Sequence, residues 1–311
     1  MSKQQLAAII LVVIVIGAVG FLAFKNKPSL MDTSGKIQVV ASFYPMYFFA
    51  SQIGGDKVSV TNITPVGAEP HDYEPSTQDV ARIEGADVLV LNGSVEAWGD
   101  KEKSVLAGSK VMVITAGEGL LSKQITEEGE TMSDPHIWLD PILAKQEAHT
   151  IAQGLAKADP ANASYYAQNE QTLDAKFDQL DGEYKAGLAQ CTSKNIVTSH
   201  AAFAYLSEHY GLNQVAISGL SPDEEPSSAQ LAKVADFART NKVKYIFFES
   251  LVSPKLSQTI ATEIGAQTMV LDPIEGISDE DMADGDNYFS VMRSNLQNLK
   301  TALECKGGAR M

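Results

Sequence analysis

The sequence predicts an α/β protein of two doubly wound parallel-sheet lobes joined by one long helix. Three observations predict it. From Lys36 onward, short β-branched and aliphatic runs alternate with helical patterns. The alternation stops over residues 142–190 and then resumes. Inside that gap, an apolar pattern at helical spacing and free of proline runs from Ala163 to Gln190, weakened near its end by Gly182 and Gly187. Continuous apolar strands separated by helices are the pattern of a parallel sheet covered on both faces.

The elements follow in order. In the first lobe, residues 36–141, the strand "IQVVAS" leads into the helical "MYFFASQIGG". "VSVTNIT" is followed by a loop and the helical "STQDVARIEGA". "DVLVLNG" precedes the helical "VEAWGDKEKSVLAG", and "KVMVIT" follows. The connecting segment is 142–190. In the second lobe, residues 191–306, "NIVTS" leads into "HAAFAYLSEHYG", and "QVAIS" into a loop and the helical "SSAQLAKVADFARTNK". "YIFFES" precedes "SPKLSQTIATEIG", and "TMVLD" precedes a loop and a last helix near Tyr288 to Glu304.

Residues 1–35 form a leader and linker. Leu6 to Phe24 carries no charge and is flanked by Lys3, Lys25 and Lys27. That length suits a membrane span. An uncleaved anchor is the favoured reading, because a secretory signal has a shorter apolar stretch. A cleaved signal is the alternative, with Ala18 and Gly20 as the small residues of the cut. Either way the body of the protein is exported. No cysteine lies near this segment, so no lipidated N-terminal cysteine can form.

The net charge is −15 across 311 residues, and no Lys/Arg cluster is present. This excludes a nucleic-acid face, which needs basic residues to neutralise phosphates. It is compatible with a cation as partner and equally with plain solubility. Of the two cysteines, Cys191 precedes a strand and Cys305 ends the last helix. Export permits a disulfide between them; two buried thiols are the alternative. Their spacing offers no thiolate metal site.

Ligands in doubly wound sheets bind beyond the carboxyl ends of the strands. Three of the five histidines stand there. His71 lies in "GAEPHDYEPSTQD", His136 in "DPHIWLDP", and His200 directly after "NIVTS". Glu249 ends "YIFFES", and Asp272 follows "TMVL". His149 and His209 fall inside helical patterns and read as structural. Three imidazoles and one carboxylate make a tetrahedral zinc set. The two Asp-Pro pairs fix the loop around His136. Asp134 and Asp140 are each placed to take the second ring N–H of that histidine, and Trp138 to pack behind it. Asp140 also suits a helix cap before Pro141, which is the slightly preferred role. Glu249 is a carboxylate behind a ligand, a substitute ligand, or a solvated strand end. Glu69 and Asp72 are expected to contribute field rather than bonds.

The segments "PHDYEPSTQD", "DPHIWLDP", "TSHAAFAYL", "DEEPSSAQL" and "LDP" resemble the extracytoplasmic zinc and manganese solute-binding proteins of ATP-binding-cassette transporters. The resemblance runs from about Lys36 to Cys305. It implies two lobes joined by one long helix, with the metal between them. It implies His71 and His136 as ligands from the first lobe, and His200 and Asp272 from the second. It further implies Zn²⁺ as the cargo, with Mn²⁺ as a weaker one, and a permease with its ATPase as partners of a monomeric binding protein. Manganese members tend to place glutamate where His200 stands. Many zinc members carry a long His-rich loop, and here "GEGLLSKQITEEGETMSDPH" is short and has no extra histidine. Two other functional classes remain. A zinc hydrolase would use Glu249 as general base and needs an open coordination position. An adhesin would hold the metal only as structure.

Overall fold

The computed structural model describes residues 35–127 and 130–306. The Leu6–Phe24 segment lies outside them. Among the described residues, no helix is long and apolar enough to cross a membrane.

The first sheet has strands β1 (Ile37–Ala41), β2 (Val58–Asn62), β3 (Val88–Leu91) and β4 (Met112–Thr115), in the order β2-β1-β3-β4. All its pairings are parallel. Its helices are α1 (Tyr44–Gly54), α2 (Thr77–Gly85) and α3 (Gly99–Leu106). A two-stranded antiparallel hairpin follows, β5 (Gln124–Glu127) with β6 (Glu130–Ser133). The apolar runs of the sequence predict no strand over this stretch.

Two helices fill the strand-free interval: α4 (Pro141–Ala158) and the long α5 (Ala163–Leu188). Pro141 stands in the first turn of α4, where no N–H is needed. The second sheet has β7 (Asn195–Thr198), β8 (Asn213–Ala216), β9 (Tyr245–Phe248) and β10 (Gln267–Val270). Its order is β8-β7-β9-β10, again parallel throughout. It carries α6 (Ala204–Tyr210), α7 (Ser228–Thr240), α8 (Lys255–Ile264), α9 (Asp279–Ala283) and α10 (Tyr288–Ala302). A Cys191–Cys305 disulfide ties the start of this lobe to the end of α10.

Each sheet is covered on both faces. On one face of the first sheet, Val40, Ile83, Leu89, Leu91 and Leu106 pack together. On one face of the second, Val197, Val234, Ile246 and Ile260 do the same. The remaining core is continuous between the lobes. Phe49 of α1, Phe177 of α5 and Tyr288 of α10 meet edge to face, with ring centroids 5.2–5.8 Å apart. Such rings gain from apolar burial and from quadrupole geometry together. The lobes therefore share a packed seam, and the candidate ligands lie at its end, where the strands exit.

Candidate metal centre

Each histidine of interest stands on a loop that its neighbours hold rigid. After β2, the "HDYEPSTQD" stretch folds back on the start of α2. The Ser76 side chain accepts from Asp79 N, and Asp79 accepts from Ser76 N, which makes a capping box. Tyr73 adds its hydroxyl to Asp79 at 2.7 Å. His71 leads into this knot, and its own N–H donates to Glu69 Oε1 at 3.2 Å.

His136 follows the hairpin. Asp134 Oδ1 accepts from its backbone N–H at 3.0 Å and lies 2.8 Å from its Nδ1. Trp138 packs against the ring, with centroids 5.1 Å apart. Its indole N–H donates to Pro273 O in the second lobe at 2.7 Å. His200 leaves β7 directly. Its carbonyl accepts from Thr198 Oγ1 at 2.7 Å and from Gln214 Nε2 at 3.2 Å. Its Nδ1 lies 2.7 Å from Glu249 Oε1, which also accepts from Ser199 Oγ. Asp134 and Glu249 thus fix the rotation of two imidazoles and leave each Nε2 free for another partner.

The three Nε2 atoms converge. His136 Nε2 lies 3.2 Å from His71 Nε2 and 3.3 Å from His200 Nε2. The carboxylate that meets them is Glu275, not Asp272. Glu275 Oε1 lies 3.5, 3.3 and 3.4 Å from the Nε2 atoms of His71, His136 and His200. A zinc ion with tetrahedral bonds of about 2.05 Å sets its donors about 3.3 Å apart. Five of the six donor separations stand close to the edge length of that tetrahedron. Glu275 Oε1 is buried and makes no well-aligned hydrogen bond. A buried carboxylate oxygen without a partner is costly unless a cation completes it.

Asp272 has other work. Its Oδ1 accepts from Ile274 N at 2.7 Å, and its backbone N–H and C=O are both held by the Asn295 side chain. Ile274 sits in the left-handed region at φ 60°, which costs a β-branched residue free energy. The turn closed by Asp272 carries the chain round so that Glu275 faces the histidines. Burial pushes Asp272 up to about 6. Asp140 also stands apart from the expectation of an imidazole partner at His136. It caps α4 by accepting from Ile142 N at 2.8 Å, and it takes His209 Nδ1 at 2.8 Å. His209 stacks on Tyr210, and exposed His149 meets Glu170 and Gln153.

One further residue escaped the sequence reading. The Tyr205 hydroxyl accepts from Ser122 N and Lys123 N, each at 3.1 Å, and donates to Asp134 O at 3.0 Å. A side chain of α6 in the second lobe thereby holds the loop of a first-lobe histidine.

The charged groups of the site act on one another at close range. Burial opposes charge on His136, but Asp134 and Glu275 outweigh it and raise its pKa. Burial likewise opposes charge on His200, yet Glu249 and Glu275 carry it well above the ordinary value. Burial would raise Glu275, but the facing His200, His136 and His71 hold it well below the carboxylate range. Burial, then the nearby Glu275, push Glu69 up to about 8.

Comparison with known proteins agrees with this geometry. The sequence matches the family described as "Zinc-uptake complex component A periplasmic", ZnuA, over residues 39–302. It is 39% identical over 293 residues to the high-affinity zinc uptake system protein ZnuA of Bacillus subtilis, covering 90% of this chain and 92% of that one. It is 40% identical over 290 residues to the zinc-binding lipoprotein AdcA of Streptococcus pneumoniae, covering 89% of this chain and 58% of AdcA. The solved structure of Zn(II)-bound AdcA from the same organism superposes with a TM-score of 0.76 at 40% identity, covering 88% of this chain and 59% of that one. A mutant structure of the laminin-binding adhesin Lmb from Streptococcus agalactiae superposes at 0.78 with 37% identity, covering 86% and 99%. Two parallel-sheet lobes, three imidazoles meeting a carboxylate at zinc spacing, and a match across nearly the whole described chain lead to one assignment: the chain belongs to the ZnuA family of zinc-uptake solute-binding proteins.

Proposed function

We propose that the protein captures Zn²⁺ outside the cytoplasm and hands it to a membrane permease driven by an ATPase. His71, His136, His200 and Glu275 are its ligands. The observation that carries this reading is the spacing of four donor atoms, drawn from both lobes, at the edge length of a zinc tetrahedron. Imidazole nitrogens suit Zn²⁺, whereas Mn²⁺ prefers more and harder oxygen donors. The set also argues for carriage rather than hydrolysis. Four protein ligands leave no position for an activated water. Glu249, the base a hydrolase would need, is occupied by Ser199 and His200 Nδ1. The names of the similar proteins support zinc as the cargo. The Cys191–Cys305 disulfide is consistent with an oxidising compartment.

The test is metal analysis of protein purified without added metal, followed by equilibrium competition among zinc, manganese and iron. Zinc is expected to co-purify and to displace the others at equal concentration. Manganese binding as tightly as zinc, or a melting curve unmoved by zinc at neutral pH, would overturn the reading.

A further inference from the structure

We propose that Glu69 is the exchange ligand of this site: it receives the ion at the mouth, passes it to the four resident donors, and takes it up again on release. The proposal rests on the zinc reading above. His136 and His200 are fully buried, so an ion cannot reach the donors from their side. A cavity of about 170 Å³ adjoins the site instead, and its wall includes Glu69, Glu249, Asp272 and Glu275, with Asp223 exposed at the rim. Glu275 belongs to both cavity and donor set, and its Oε1 is without a hydrogen-bond partner.

The other buried carboxylates of this wall are engaged. Glu249 Oε1 holds Ser199 and His200, and Asp272 Oδ1 holds Ile274 N. Among the described residues, Glu69 accepts the N–H of His71 alone, and its Oε1 lies 3.9 Å from His71 Nε2. That distance exceeds the tetrahedral edge of about 3.3 Å, so Glu69 stands just outside the resting set. Zinc has no geometric preference from its d electrons and accepts a fifth donor in passing. A closed four-donor site exchanges faster when an incoming donor binds before an outgoing one leaves. Glu69 is placed to be that donor, beside the most exposed of the three histidines.

Stopped-flow mixing with zinc alone, and release into excess chelator, test this on Glu69→Gln. Glutamine keeps the length and an oxygen for the His71 N–H. Association and release are both expected to slow by about tenfold or more while Kd stays within about threefold, because a group used only in passage alters the barrier and not the end states. Glu69→Asp should fall between the two and guards against a misfolded glutamine variant. Unchanged rates in Glu69→Gln would overturn the proposal. So would a Kd loss matching that of His71→Ala, which would make Glu69 a resident ligand. A slowing that vanishes at about 0.5 M salt would overturn it too, because it would show long-range field rather than bonding. Failure of the wild type to bind zinc would instead sink the function reading.

Discussion

Replacing Glu275 by glutamine separates the two candidates for the fourth ligand. Its Oε1 lies within 3.5 Å of all three Nε2 atoms. Glutamine preserves size and leaves an oxygen there, but removes the negative charge. Carboxylates that merely orient a ligand are worth about 10–100-fold in metal affinity. A donor bound to the ion exceeds that, so Glu275→Gln should weaken zinc by more than about 100-fold, or about 2.7 kcal/mol. Asp272→Asn is the counter-experiment. An asparagine oxygen can still accept from Ile274 N, so only the charged character of that bond is lost. That difference is about 1 kcal/mol, or roughly fivefold. His149→Ala, whose ring contacts lie on the exposed α4–α5 surface, should leave affinity unchanged. Competition titration against a chromophoric chelator reads all four proteins. A larger loss in Asp272→Asn than in Glu275→Gln would refute the reasoning and restore Asp272 as the ligand.

Zinc affinity should fall on acidification, starting at or above neutral pH, because the raised pKa values of His136 and His200 keep these ligands protonated further up the scale. Each such proton displaced adds about a tenfold change in Kd per pH unit. The metal-free protein should behave oppositely. A histidine whose pKa rises on folding contributes stability that is fully present below its unfolded value of about 6.5 and is lost as pH climbs through the folded value. Melting curves with and without zinc from pH 8 to pH 6 should therefore converge, and a constant gap would contradict this. Tyr205→Phe strips the partner from Ser122 N, Lys123 N and Asp134 O, and should cost about tenfold in zinc affinity as Asp134 loses its hold on His136. Tyr210→Phe, whose hydroxyl meets Asp181, should cost stability alone; an equal zinc loss in both would make Tyr205 a merely structural residue.

The fold and the three histidines of the candidate site were legible because each leaves a local mark. β-branched runs mark the strands, and strand exits mark His71, His136 and His200. Glu275 leaves no such mark. It lies beyond the strand exit, past a proline and a left-handed isoleucine, and only tertiary packing turns it inward. Asp272 stands at the strand exit itself, and its side chain closes that turn by accepting from Ile274 N. Asp140 was ambiguous for a related reason. An aspartate before a helix-starting proline serves as cap or as imidazole partner with the same sequence, and only the position of His209 decides. The hairpin was readable in principle, since "KQITEEGETMS" sets the pair Glu-Gly between polar alternating flanks. Its low apolar content hid it. Tyr205 could not be found at all, because its three partners lie more than seventy positions away in sequence.

The two sheets share one strand order, and their centres differ in a way that explains the site's asymmetry. Between β1 and β3, Ser42 Oγ donates to Glu96 Oε1 at 2.5 Å. Glu96 also accepts from Asn92 N at 2.8 Å and from Gly93 N at 2.9 Å. Its carboxylate is taken up by the Ser42 hydroxyl and two backbone N–H groups. Between β7 and β9, the equivalent pair is Ser199 and Glu249, but here Glu249 still serves the His200 ring. Among the described residues, the second lobe places a candidate donor, His200, at its topological switch point. The first lobe reaches over with loops. One of them is pinned, because Trp138 and Asp134 are hydrogen-bonded to Pro273 and Tyr205 of the second lobe. Separating His136 from that lobe would break buried bonds. His71 is held to its own lobe by the Ser76–Asp79 knot, and its side chain is 11% exposed while those of His136 and His200 are fully buried. Ligand exchange should therefore begin at His71, on the face where Glu69 and the cavity lie.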